Sequence, residues 1–299
     1  MLINAINSAE KEILVAVQEL SLPRIAESLV AASRRGVNVK VILENNYSTP
    51  WSQQHELDLS RHGRKRLQRL KVEADQDQNG VVSPEEARNH DALMILQNGQ
   101  IAWIDDTEDG SKGSGLMHHK FVVIDGERVI TGSANFTNSG IHGDAGATQT
   151  RGNVNHLINI QSPALASIFK EEFAQMWGDG PGGANDSHFG RNKTAKPLQT
   201  IKAGTANISV LFPPHAKSHQ GHGLDVIEDQ LGRAKKTIDL ALFVFSAQQL
   251  TNKLVKQISA GVQLRLLADP GFASRSFSEV LDLLGVALPD RFCKLEAGN

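Results

Sequence analysis

Residues 6–39 read INSAEKEILVAVQELSLPRIAESLVAASRRGVNV, and residues 231–264 read LGRAKKTIDLALFVFSAQQLTNKLVKQISAGVQL. Overlaid at one constant shift, Ile6, Ala9, Ile13, Ala16, Ser21, Leu29, Gly36, Val37 and Val39 fall opposite Leu231, Ala234, Ile238, Ala241, Ser246, Leu254, Gly261, Val262 and Leu264. A repeat decides architecture before any motif does, because each copy has the same face to bury. Each copy predicts a helix end, a buried strand (Ile13 to Val17, Ile238 to Val244), an amphipathic helix, a Gly stop, and a second strand such as Val37 to Leu43. Strands alternating with helices pair in parallel through right-handed crossovers, so the expected fold class is α/β, a duplicated α/β/α sandwich. The second copy has a strand, Asn207 to Phe212, ahead of its helix, whereas the first opens inside the equivalent helix. The second copy also stops at Asn299, so the chain is expected to be cut at both ends.

The 299 residues are 40 % hydrophobic and 21 % charged, which suits about two globular domains and excludes disorder, collagen and coiled coil. A net charge of -2 gives no global positive field, so an anionic partner must be held locally. No apolar run approaches the roughly 20 residues of a membrane span. Met1 is followed by Leu2-Ile3-Asn4-Ala5-Ile6 and then Glu10, Lys11 and Glu12, which is not a secretory signal. The compartment therefore stays open between a cytoplasmic protein and one whose leader is missing, with a periplasmic or secreted setting favoured. The single cysteine, Cys293, excludes a disulfide framework and a cysteine-built metal site, and reads as a buried small hydrophobe. Between Gly178 and Lys193 lie Gly180, Pro181, Gly182, Gly183 and Gly190, a composition that builds no core. It predicts a linker over residues 178–200, between a first half at 1–177 and a second at 201–299.

Residues 110–139 read GSKGSGLMHHKFVVIDGERVITGSANFTNS. Phe121 to Ile124 and Arg128 to Thr131 read as strands joined by an Asp125-Gly126 turn. Strand side chains alternate, so His118 and Lys120 share one face while His119 packs or hydrogen-bonds on the other. Ser133 and Asn135 are spaced by two as well. An imidazole, an ammonium, a hydroxyl and a carboxamide on adjoining strand ends make a compact phosphate site: Lys120 and Asn135 hold oxygens and His118 attacks phosphorus. A half-buried hairpin would account for a lone His-His pair, but not for this set. The run from Gly110 to Gly115 is either a phosphate cradle or a flexible loop, and Asp125 caps its turn more readily than it transfers a proton.

His118, Lys120, Asp125, Gly132, Ser133 and Asn135 together spell H-x-K-x4-D-x6-G-S-x-N, and on these residues the chain resembles the phospholipase D superfamily. Six fixed positions match by chance at roughly 10⁻⁷ to 10⁻⁸ per starting position. The resemblance implies a duplicated phospholipase D-like sandwich, two pseudo-two-fold related halves facing each other across a phosphodiester cleft. It implies that one histidine forms a phosphohistidine, while a partner histidine protonates the leaving alkoxide and then activates water, with no cofactor for the chemistry. Lys120 and Asn135 would carry the charge on the equatorial oxygens, beside Gly132 and Ser133, with Asp125 also in the catalytic set. A phospholipid headgroup ester is the favoured substrate, and DNA or RNA the second. A catalytically idle calcium-binding module is the contrasting class. The chain departs from the family twice. It holds one complete motif, so a second must come from a missing C-terminal region or a second chain, and this chain alone is expected to be inactive. A Glu that relatives carry after G-S-x-N is matched by Asn155, which stabilises an imidazolium less.

Residues 75–86 read DQDQNGVVSPEE and place Asp75, Asp77, Asn79, Gly80, Ser83 and Glu86 at the spacing of an EF-hand calcium loop. Three short oxygen-bearing side chains wrap one hemisphere, Gly80 turns, the Val81 carbonyl adds a ligand, and Glu86 closes. Ser83, Pro84 and Glu86 also read as a helix start, which leaves Asp75, Asp77, Asn79 and Gly80 unexplained, so Ca²⁺ is expected there. Helices from His55 to Ala74 and Pro84 to Leu96 flank the loop, an unpaired hand inserted at about 55–97. Arg61, Arg64, Lys65, Arg66, Arg69 and Lys71 on the first of these helices either steer a phosphate-bearing partner or form a solvated face balancing the acidic loop.

Overall fold

Ile13, Leu14, Val15, Ala16 and Val17 are all buried, and this strand lies inside the sheet on which the site is built. A continuous apolar run of this kind needs protein on both faces. The computed structural model describes residues 1–110, 115–143, 152–216 and 218–286. The expectations for residues 111–114 of the glycine run and for Cys293 lie outside the described residues. The chain divides into two units between Val210 and Leu211.

The first unit runs α1 (Leu2–Asn7), β1 (Glu12–Val17), α2 (Pro23–Arg34), β2 (Asn38–Leu43), α3 (Arg61–Ala74), α4 (Pro84–His90), α5 (Ala92–Asn98), β3 (Ala102–Asp105), β4 (Lys120–Ile124), β5 (Arg128–Gly132), α6 (Asn138–Ile141), β6 (Leu157–Gln161), α7 (Pro163–Trp177), and a hairpin of β7 (Gln199–Ala203) and β8 (Ala206–Val210). Six strands form one sheet in the order β3-β2-β1-β4-β5-β6. The expected parallel pairing holds for β1, β2 and β3. β4 and β5 form the expected antiparallel hairpin, and the pairings of β4 with β1 and of β5 with β6 are antiparallel as well. Within the hairpin the reason is local: Asp125 and Gly126 take φ of 55° and 66°, the sign a tight hairpin turn requires, and so short a reversal can only join antiparallel strands.

Side-chain alternation then splits the core in two. Ile13, Val15, Val41, Leu43, Val122 and Ile130 pack with Ile6, Ala26, Leu29 and Leu96 from the helices on one face. On the other, the Phe121 ring meets Phe169 of α7 edge-on at 5.0 Å. Helix α2 opens on Pro23 and stops where Gly36 takes a φ of 93°, a conformation that favours glycine.

Several expected boundaries shift. The helix expected from residue 55 starts at Arg61, because the Ser60 hydroxyl caps it by accepting from the Gly63 amide at 3.1 Å. The helix expected over 84–96 is two, broken at Asp91, whose buried carboxylate accepts from the Leu93, Met94 and Ser52 amides. Burial pushes that carboxyl up, against these bonds. Leu93 and Leu96 of α5 belong to the main core. Helix α3 and the residues before it have their own small core of Trp51, Leu67, Leu70 and Ala74.

The stretch expected as a linker is packed against the first unit instead. Ser187 and Phe189 are buried, the Asp186 and Ser187 amides donate to Asp109, and Lys193 pairs with Glu172. The strand expected over 207–212 is β8, whose partner is β7.

The second unit contains α8 (Gly223–Gly232), β9 (Thr237–Leu242), α9 (Gln248–Ser259), β10 (Gln263–Ala268), and the short helices α10 (Pro270–Ala273) and α11 (Glu279–Leu283). Strands β9 and β10 are parallel, and Ile238 pairs with Leu264 as Ile13 pairs with Val39. Ile238, Phe245, Leu254 and Val262 form its core. β9 ends at Leu242, short of the expected Val244, and Phe243 is 68 % exposed. Among the described residues no helix is long and apolar enough to cross a membrane.

Asp125 closes this frame far from His118. Its carboxylate accepts from the backbone amides of Glu10, Lys11 and Glu12, with Lys11 closest at 2.7 Å. Burial pushes its pKa up, but these amides outweigh burial and hold it below the usual 3.8. A depressed folded pKa gives stability that is present above the unfolded value and lost as pH falls through the folded one. Asp125→Asn keeps the turn but weakens charge-assisted bonds, and is expected to cost about 1 kcal/mol in urea unfolding at neutral pH. The gap to wild type should close as pH falls below about 4.

Candidate active site

The site lies where β1 ends and β4 begins. Val17 pairs with Lys120 in the antiparallel ladder, so the residue after Val17, Gln18, arrives beside Lys120. Gln18 is buried, and its carboxamide oxygen accepts from the Lys120 ammonium at 3.0 Å and from the Asn135 carboxamide at 3.2 Å. Asn135 reaches it because the chain after β5 folds back along residues 19–22. The Phe136 amide donates to the Glu19 carbonyl, and the Ser21 and Leu22 amides donate to the Phe136 carbonyl. The Asn135 oxygen is buried with no hydrogen-bond partner.

Lys120 is buried, and it also donates to the His118 carbonyl at 2.9 Å. Desolvation brings its pKa down to about 8, against the pull of the nearby Glu19 carboxylate. Glu19 is itself paired with Arg66 of α3 at 2.6 Å, and the Arg66 guanidinium lies 5.0 Å from the Tyr47 ring centre. His118 is exposed by surface area, yet desolvation by the atoms around it, then Lys120 and His119, hold its imidazole below the ordinary 6.5. Each of these causes favours the neutral imidazole over the imidazolium.

His119 occupies the opposite face, as alternation requires. Its Nε2 lies 3.0 Å from Glu172 of α7, and its ring packs edge-on to Phe121. Burial lowers its pKa and outweighs the opposing effect of Glu172.

Gly132 and Ser133 sit at the other edge of the site. A Cβ on Gly132 would lie 2.0 Å from the His156 carbonyl oxygen, so no larger residue fits this ladder. The Ser133 hydroxyl donates to Asn155 at 2.9 Å, accepts from the His156 amide, and lies 3.3 Å from the His156 ring. Asn155 also donates to the Gly140 carbonyl at 3.1 Å, so it holds the Ser133 loop.

The structure thus brings Lys120 and Asn135 together on Gln18, with the His118 backbone on Lys120 and Gly132, Ser133 and Asn155 alongside. It leaves Asp125 at the far end of β4, where it ties down the start of β1. Gln18, the Glu19–Arg66 pair and His156 escaped the sequence argument. Their one signal was two polar residues, Gln18 and Glu19, directly after an all-apolar strand.

The acidic loop is folded on itself. Asp75 accepts from the Asn79 and Gly80 amides, Asp77 from the Asn79 side chain, and Asn79 from the Val81 amide. Glu86 accepts from the Gln76 and Ser83 amides and the Ser83 hydroxyl, while Ser83 caps α4. The Ser83 amide first, then the Gln76 amide, bring the Glu86 carboxyl down to about 2. Ligand atoms of Asp75, Asp77 and Glu86 lie within 4.8 Å of one another. The predicted helix cap at Ser83 is present, and the carboxylates of the expected calcium loop lie close together in the same segment.

The family described as cardiolipin synthase, PLD-like domain, matches residues 2–177. A mitochondrial cardiolipin hydrolase of Xenopus tropicalis is 25% identical over 169 residues, covering 56% of this chain and 56% of that protein. A phospholipase D of Rickettsia conorii is 27% identical over 175 residues, covering 58% of this chain and 59% of that protein. The chain thus spans less than two thirds of the length of these relatives. A phosphatidylserine synthase structure from Haemophilus influenzae Rd KW20 superposes with a TM-score of 0.50 at 15% identity, covering 89% of this chain and 58% of that one, a likeness of fold.

The coupling of His118 to Lys120 can be measured directly. Lys120→Met keeps the stem and removes the charge that disfavours imidazolium, so the His118 pKa should rise toward 6.5 in an NMR titration of the ring nitrogens. A His118 titration that did not move would show that the two side chains are not neighbours.

Proposed function

The chain belongs to the PLD-like domain family described for cardiolipin synthase, and on that premise we propose that it is a phosphodiesterase acting through a phosphohistidine. The observation that carries this reading is the shared Gln18 oxygen, which holds an ammonium and a carboxamide together at the start of β4, beside a histidine whose surroundings favour the neutral form. A His118 ring nitrogen attacks phosphorus, the phosphorus–oxygen ester bond breaks, and the leaving alkoxide takes a proton from a partner histidine. That histidine then removes a proton from water, whose oxygen attacks phosphorus and releases His118. Lys120 and Asn135 bear the charge on the equatorial oxygens in both steps. The partner histidine comes from sequence outside this chain or from a second copy. Asp125 has no part in the chemistry.

The favoured substrate is a phospholipid headgroup ester, supported by the names of the relatives, a cardiolipin hydrolase and a phospholipase D. Nucleic acid is the competing substrate, and phosphatidylcholine and single-stranded DNA assayed side by side decide between them. On bis(p-nitrophenyl) phosphate the full gene product should turn over. His118→Ala should lower the rate roughly 10³-fold or more and abolish trapped phosphate on the protein. The rate should rise with pH as His118 loses its proton below 6.5, and fall as Lys120 loses its own at about 8.

The loop at 75–86 is proposed to take Ca²⁺ through Asp75, Asp77, Asn79, the Val81 carbonyl, Ser83 and Glu86. It would have no role in the reaction itself and would join α3 to α4. Calcium at about a hundred times its Kd should then stabilise the protein by about 2.7 kcal/mol, and Glu86→Gln should remove most of the shift in Tm. A melting curve indifferent to calcium would exclude the site.

A further inference from the structure

We infer that the outer face of α3 is a docking surface for an anionic phospholipid bilayer. The helix has two distinct sides. Arg66, Leu67, Leu70 and Ala74 are buried, whereas Arg61, Arg64, Lys65, Gln68 and Val72 are exposed. At 3.6 residues per turn the second set falls within one stripe along the helix. Arg69 and Lys71 flank that stripe at its edges. In a chain whose net charge is -2, this is a local concentration of positive charge without an acidic residue in the exposed row.

Two further observations choose the partner. The stripe carries Val72, 58 % exposed, and one turn before the helix stands Leu57, 94 % exposed and flanked by Glu56 and Asp58. Aliphatic side chains beside cations gain from the headgroup and acyl boundary of a bilayer, where ammonium and guanidinium heads stay with the phosphates. A nucleic acid groove would want broad aromatic platforms for bases, and among the described residues this face offers the small His62 ring but no exposed Phe, Tyr or Trp: Tyr47 lies under Arg66 and Trp51 is buried. The second observation is position. Arg66, on the inner side of the same helix, is paired at 2.6 Å with Glu19, the neighbour of Gln18 in the site. The cationic stripe therefore lies one helix thickness, about 10 Å, from the end of β1 that carries the site. Docking there would bring the site to the surface of its substrate. This consequence rests on the phospholipid reading; the docking itself does not.

The test is vesicle partitioning of the full chain. Vesicles of phosphatidylcholine with a third of phosphatidylglycerol should bind it, and phosphatidylcholine alone should not. Raising salt from about 0.1 to about 0.5 M should release it. Each basic side chain near an anionic leaflet raises partitioning about fivefold, so the triple variant Arg61→Gln, Arg64→Gln, Lys65→Gln should lose about a hundredfold. Its Tm and its turnover of a soluble diester should stay at wild type. Leu57→Asp, at a position that packs against nothing, should weaken vesicle binding severalfold while leaving the fold untouched. Wild-type partitioning in both variants would overturn the inference, as would equal binding to neutral vesicles. A triple variant that loses only a fluorescent single-stranded oligonucleotide, and no vesicle binding, would overturn it in favour of a nucleic acid surface. A protein that turned over no diester but still partitioned as described would support the docking surface and refute the phosphodiesterase reading instead.

Discussion

One acceptor atom organises the site. The Gln18 carboxamide oxygen receives the Lys120 ammonium and the Asn135 amide, two donors from opposite ends of the β4–β5 hairpin. A neutral oxygen is suited to this. A carboxylate there would neutralise Lys120 and turn the pair inward, whereas an amide orients the ammonium and leaves its charge for a ligand. The position of that oxygen is set in turn by β1, buried from Ile13 to Val17 and fixed laterally by parallel β2 and antiparallel β4. Gln18 therefore inherits its precision from packing.

Burying an ammonium is costly, and the surroundings of Lys120 are arranged to offset that cost. Desolvation brings Lys120 down to about 8, and Glu19, itself paired with Arg66, lies close enough to favour the charged form against it. The opposite face of β4 shows the same economy. Glu172 serves His119, Lys193 and Gln175 together, so one buried carboxylate fastens β4, α7 and the glycine-rich stretch. That stretch lacks the apolar content to form a core of its own, yet it is held in place by polar bonds to Asp109 and Glu172. Composition speaks only to cores, which is why it looked like a free linker.

What was legible follows the same division. Apolar periodicity located β1, α2 and β2, and the Asp125-Gly126 pair located the hairpin, because both signals are local. The motif residues Lys120 and Asn135 were found by type and spacing, and they do converge. The role of Asp125 was not legible: its partners, the amides of residues 10–12, are more than a hundred residues away, and no spacing rule connects them. The break at Asp91 was hidden for a related reason, since Ala92 to Leu96 continue the helical pattern and only the bonds from Ser52 and α5 to the Asp91 carboxylate fix the kink. Gln18 and Glu19 had no motif at all.

The overlay that aligns Ile13 with Ile238 shows what those two residues are for. In the second unit β9 and β10 repeat the pairing of β1 and β2. The positions matching Gln18 and Glu19 hold Phe243 and Val244, one 68 % and the other 41 % exposed. A parallel pair followed by its helix thus forms without a carboxamide or a carboxylate after the first strand. The strand frame does not require them. In the first unit the same positions carry the amide shared by Lys120 and Asn135 and the acid paired with Arg66. The polar end of β1 therefore belongs to the site more than to the scaffold.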